Sequence, residues 1–77
     1  MENIIPLSCL PLGKYGVITS ICVNPQIKRR LLDIGFIKGT RLLCVLKNPS
    51  GDPSAYLVRG AVIALRKDDS SQIFISV

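Results

Sequence analysis

The sequence predicts a mainly β fold: a small, strongly bent antiparallel barrel of about five strands, with one short α-helix between the first and second strands and one helical turn before the last. Three observations carry this expectation. Five short segments rich in β-branched and apolar residues recur at close spacing, each bounded by Gly, Pro, Asn, Asp or Ser. Only one connection, from Asn24 to Thr40, is long enough for a crossover, which argues against a parallel sheet. The chain has 77 residues, room for a single domain spanning 1–77.

Taken in order, Ile4 to Leu12 is apolar but broken by Pro6 and Pro11, and reads as an irregular arm whose Leu7, Leu10 and Leu12 plug one end of the barrel. Leu12, Gly13 and Lys14 form a turn. Tyr15 to Val23 is the first strand, and Gly16 within it marks a bulge or a close backbone approach. Asn24 is an N-cap and Pro25 suits the first helical position, where its missing N–H is no loss. Ile27, Leu31 and Ile34 then share one helical face, widened by Leu32, while Lys28, Arg29 and Asp33 lie opposite. Gly35 closes the helix in a left-handed conformation, with Phe36 folding back onto the last turn.

After the turn Ile37–Thr40, Arg41 to Lys47 is the second strand. Asn48 to Pro53 are six consecutive turn formers. Ser54 to Val58 is the third strand, Arg59 and Gly60 a turn, and Ala61 to Arg66 the fourth strand. Lys67 to Gln72 fit one helical turn started by a local Asp cap, and Ile73 to Val77 alternate as a terminal strand.

Composition narrows the classes of function. A chain this short buries roughly 60% of its unfolded surface, so its stability rests on packing every apolar strand position. Cys9, Cys22 and Cys44 have no C-x-x-C spacing, an odd count, and no His to complete a zinc site. They read as small buried hydrophobes in a reducing compartment. The N-terminus lacks a basic and then apolar leader, and no apolar run reaches the roughly 20 residues that span a bilayer; the expected location is the cytoplasm.

Neither an enzyme nor a cofactor protein is expected. The five carboxylates are scattered, no Ser or Cys stands in a nucleophile motif, and no catalytic residue is assigned. Ferrous iron would want converging His, carboxylate or thiolate ligands, so no metal ligand is assigned either. Gly35 and Gly39 lack the Lys-Ser or Lys-Thr of a phosphate-binding loop.

Charge singles out one region. Ten Lys and Arg stand against five Asp and Glu, a formal net charge of +5, which favours an acidic partner. Lys28, Arg29, Arg30, Lys38, Arg41 and Lys47 cluster against Asp33 alone. A solvated helix face would account for this; so would an electropositive docking patch, for which Lys28, Arg29, Arg30, Lys38 and Arg41 are the partner-binding candidates. Nucleic acid is a rival target, but small barrels bind it through exposed aromatics, and only Tyr15, Phe36, Tyr56 and Phe74 are available.

The run Arg30-Leu31-Leu32-Asp33-Ile34-Gly35-Phe36-Ile37-Lys38-Gly39-Thr40, followed by Gly51-Asp52-Pro53 and by Gly60 with Ala64-Leu65-Arg66, resembles the ferrous iron transport protein A (FeoA) family. That pattern has an Arg-rich short helix, Leu-Gly-Leu, Pro-Gly-Thr, Gly-Asp-Pro and Ala-Leu-Arg in this order, and Leu7 to Gly16 is similar to its opening. Phe36 replaces the usual leucine, Ile37-Lys38 a residue-Pro pair, and Ser71 a common alanine. The resemblance implies an SH3-like barrel and a small cytoplasmic accessory protein of ferrous iron uptake. Its implied protein partner is the cytoplasmic, GTPase-bearing part of a membrane iron transporter, with no small-molecule substrate and contact with the membrane only through that partner. The alternatives are an SH3-like module related to the C-terminal domain of metal-dependent repressors, or a nucleic-acid-binding small barrel. An unpaired strand edge also leaves room for a homodimer.

Overall fold

The computed structural model describes residues 3–50 and 52–77. Six strands form one antiparallel sheet: β1 (Ile4–Pro6), β2 (Tyr15–Ile21), β3 (Arg41–Lys47), β4 (Ser54–Val58), β5 (Ala61–Leu65) and β6 (Ile73–Ser76), in the spatial order β1-β6-β2-β3-β4-β5. The helix α1 (Pro25–Asp33) joins β2 to β3, and a single turn, α2 (Lys67–Ser70), joins β5 to β6. The fold class is the expected one, with the short helix and the helical turn where the sequence puts them. The sheet curls without closing: among the described residues β1 and β5 are its two margins and do not pair with each other.

The sixth strand lies in the stretch expected to be irregular. Proline removes one ladder donor, which disqualifies a central strand but not an edge. Strand β1 pairs only with β6, placing Pro6 opposite Phe74, and then passes into a 3₁₀ turn at Leu7–Cys9. That turn drives Leu7 and Leu10 into the core, whereas Leu12, expected beside them, is 58% exposed.

The core follows the strand period of two. Leu42 and Cys44 of β3, Tyr56 and Val58 of β4, and Ile73 and Ile75 of β6 are fully buried with Ile18 and Phe36, and Leu31 is buried beside them. Tyr56 is the largest of these, and its hydroxyl donates to the Leu7 carbonyl at 3.5 Å. Burial pushes its phenol upward, eased by the Ser54 and Ser70 hydroxyls. Gly16 leaves room for a side chain of β6, since a Cβ there would lie 2.6 Å from Ile75 Cδ1. A register shift follows between Ile18 and Ser20, and Thr19 Oγ1 there donates to the Phe74 carbonyl at 2.9 Å.

Two local expectations are corrected by distant contacts. The cap of α2 is not a neighbouring Asp: the Lys67 N–H donates to Asp52 Oδ1 at 3.1 Å, across fifteen positions, while Asp68 and Asp69 fill the first turn. Gly51, expected in the same turn, lies outside the described residues. The cysteines also divide, with Cys44 buried but Cys9 and Cys22 exposed. Desolvation raises the Cys44 thiol, partly offset by Lys47 and by the Leu46 backbone.

Candidate functional site

Helix α1 is only nine residues long, below the roughly 12–15 at which isolated helices become stable, so its ends and one buried face hold it. Asn24 Oδ1 accepts from the Ile27 N–H at 3.0 Å, and Pro25 opens the first turn. At the other end the Phe36 N–H donates to Leu31 O at 2.9 Å and the Gly35 N–H to Leu32 O at 3.1 Å, the paired bonds of a Schellman cap. Gly35 has φ 99°. A Cβ there would also strike the Arg59 side chain, 2.6 Å from its Cδ. The side chain of Arg59, from the β4–β5 turn, therefore lies across the C-terminal end of α1.

The buried face is narrower than the sequence period suggests. Leu31 is buried and Ile27 packs partly against the core, but Ile34 is 38% exposed. It is the C-cap, with φ −96° and ψ 4°, so the chain has left helical geometry and its side chain leaves the stripe. Leu32 and Ile37 are exposed as well. These three apolar residues lie near the basic ones; the periodicity assigns Leu32 and Ile34 to the core-facing stripe and leaves Ile37 in the turn.

Lys28, Arg29, Arg30, Lys38 and Arg41 are all exposed, but they do not form one cluster. Lys28 and Leu32, four apart, share one flank of α1. With Lys38 they border a groove of about 300 Å³ whose remaining wall is Ile18–Ile21 of β2. Its edge is fixed by the turn after α1: the Gly39 N–H donates to Ile18 O at 2.7 Å, the Ile18 N–H to Thr40 O at 2.9 Å, and the Thr40 N–H to Ile37 O at 3.0 Å. Arg29 lines a separate depression with Pro25 and Gln26. Arg30 lies in the last turn of the helix, where the macrodipole favours a cation. Arg41, on β3, stacks 4.6 Å above the Tyr15 ring.

The groove beside α1 is lined by cationic, hydroxyl and apolar side chains. Among the described residues no three His, Cys, Asp or Glu side chains come together to hold a metal ion. Tyr56 and Phe36 are buried, and the exposed Tyr15 ring is covered by Arg41, a poor stacking platform for bases. No helix among the described residues is long and apolar enough to cross a membrane.

The comparisons with known proteins agree with this geometry. The FeoA domain family matches residues 5–77. The FeoA protein from Chlorobium tepidum superimposes with a TM-score of 0.91 at 29% identity, over 95% of this chain and 70% of that one. Stenotrophomonas maltophilia FeoA, solved in complex with zinc and described as a prokaryotic SH3 domain protein and a candidate ferrous iron transport activating factor, gives a TM-score of 0.78 at 33% identity, over 97% of this chain and 88% of that one. A manganese-dependent transcriptional repressor shares the fold, with a TM-score of 0.85 at 18% identity, and this chain spans 42% of its length. None of the curated proteins compared matches the chain. Spanning nearly its whole length with the family's SH3-like fold, the chain belongs to the FeoA family.

Proposed function

We propose that this protein is a cytoplasmic accessory of ferrous iron uptake that docks on the cytoplasmic, GTPase-bearing part of a membrane iron transporter and performs no catalysis itself. The observation that carries the reading is the surface of α1 and its following turn. There the exposed apolar residues Leu32, Ile34 and Ile37 share the helix and its following turn with the exposed cations Lys28, Arg29, Arg30 and Lys38. Apolar anchors beside four cations and a single acid, Asp33, suit an acidic protein partner: burial of the anchors supplies affinity, and the cations supply orientation and association rate. Family membership and the candidate transport-activating role of the Stenotrophomonas maltophilia protein support the iron-uptake setting. Arg41 completes the proposed contact set, carried by the neighbouring strand.

Titration of the isotope-labelled protein with the transporter's cytoplasmic domain is the test. Amide shifts are expected on α1 and on Ile37–Thr40. The double variant Arg29→Glu, Arg30→Glu is expected to weaken binding at least tenfold, since like charge is introduced against an acidic surface. Absence of binding overturns the reading, and binding indifferent to the charge reversal overturns the surface.

A further inference from the structure

Beyond Val17 strand β2 loses its β3 neighbour, the last pair being Val17 with Arg41. Residues 18–21 keep β6 on one side and border the groove beside α1 on the other. There the Ile18 N–H and C=O are taken by Thr40 and Gly39. The Cys22 N–H donates to Gln72 O on the β6 side, so strand alternation turns the N–H and C=O of Ile21 the opposite way, toward α1. The groove thus offers a short strand margin as well as side chains.

Its charges stand at its two ends. Helix α1 departs just past the Ile21 end of β2, and the turn after it returns to Ile18, so the helix runs back alongside the strand. Lys28 therefore borders the Ile21 end and Lys38 the Ile18 end, with Leu32 between them. The strand wall from Ile18 to Ile21 is roughly 10 Å long. The lining holds two cations, the hydroxyls of Thr19 and Ser20, apolar side chains and no acid. Asp33, the one acid of α1, shares a row with Arg29 and lies about 140° round the axis from Lys28. The acids of α2 belong to the other side of β2, because α2 leads into β6. Nothing on the groove's own walls offsets its two lysines.

We infer that this groove takes an extended acidic segment of the protein partner, in the pattern acid–x–apolar–x–acid. Alternate side chains of an extended chain share one face, and this pattern sets the two acids roughly 13 Å apart. Flexible lysine side chains at the two ends of the groove reach them both. The central apolar side chain meets Leu32, and the Ile21 peptide groups bond the segment's backbone as they would an added strand. A helical segment would leave those groups unbonded, and a basic one would meet like charge at both ends. The inference rests on the docking reading for the identity of the partner and names the element of it that enters the α1 surface. Arg29 and Arg30, outside the groove, steer the encounter.

The probe is a synthetic capped peptide, Glu-Ser-Leu-Ser-Glu, with one control in which both acids are lysines and another in which Ser replaces Leu. On binding of the acidic peptide, amide shifts are expected at residues 18–21, Leu32 and Lys38, together with severalfold slower hydrogen exchange at Ile21. Lys28→Glu with Lys38→Glu changes only exposed side chains and is expected to weaken peptide binding at least tenfold; Leu32→Ser is expected to weaken it severalfold. The same variants are then titrated with the transporter's cytoplasmic domain. Binding of that domain that responds to Arg29 and Arg30 but is indifferent to Lys28 and Lys38 overturns the groove inference and leaves the docking reading standing. A domain that does not bind, beside a peptide that does, removes the docking reading and keeps the groove as an acidic-segment site. Equal binding of the lysine peptide, or an Ile21 amide that the acidic peptide leaves unprotected, would overturn the inference.

Discussion

Strand β1 is three residues long, ends in Pro6 and leads at once into Leu7 and Leu10, which are buried beneath the sheet. Strand β5 is five residues long, contains neither proline nor charge, and exposes Ala61, Val62 and Ala64. Both are margins of the same sheet, yet the first is tied down and the second is open. The Val77 N–H donates to Asn3 O at 2.9 Å, Lys47 Nζ donates to Ser8 O at 2.9 Å, and the Tyr56 hydroxyl reaches Leu7 O. On the β5 side the nearest comparable tie is the bond from Lys67 to Asp52, just past the strand. In a chain with so small a core, stability is concentrated where side chains enter it; on β5 these are Leu65 and Ile63, and the exposed Ala61, Val62 and Ala64 contribute little beyond the ladder to β4.

The largest expected effect breaks the tied side. Leu7→Ala removes a fully buried side chain beneath β1 and is expected to cost about 2–5 kcal/mol, whereas Val62→Ala on β5 is expected to change stability by less than about 0.5 kcal/mol. Urea unfolding of the two variants measures the difference, and equal losses would erase the contrast. A smaller effect is expected where β5 is anchored: Asp52→Ala leaves the first turn of α2 without its side-chain acceptor and should cost about 1 kcal/mol, read as a lower urea midpoint with an unchanged slope.

The third effect falls on the tie between Tyr56 and Leu7. Burial raises the Tyr56 phenol above its ordinary value of 10.0. Above that pH the unfolded chain loses this proton while the folded chain keeps it, so stability is full below pH 10 and falls as pH climbs toward the raised folded value. Tyr56→Phe is expected to cost about 0.5–1.5 kcal/mol at neutral pH and to flatten this alkaline loss. Unfolding followed at pH 8 and pH 11 separates the two terms.

Much of this was legible in the chain because it is local. The bounds of β3 and β4 follow from alternation and from the turn formers between them. Asn24 and Gly35 mark the ends of α1 because both caps are satisfied within a few residues. What the chain conceals depends on distant partners. Pro6 looks disqualifying until β6, some seventy residues later, makes β1 an edge strand. The cap of α2 is misread because Asp68 and Asp69 are adjacent in sequence while the acceptor, Asp52, arrives from the preceding loop. The basic residues of the proposed surface were visible as a cluster, but their separation around α1 was not, nor was the exposure of Ile34, which a helical period carried one position too far. Nothing in the spacing of Gly35 and Arg59 signals that one lies across the other.

The bonds that join Gly39 and Thr40 to Ile18 have a kinetic meaning. They tie the turn bearing Lys38 to the sheet, so a partner docking as proposed beside the adjacent groove would have only side chains left to immobilise. Such an encounter would be governed by charge and by ionic strength rather than by a slow rearrangement of backbone. Rival occupants of the groove would accordingly differ chiefly in how long they stay.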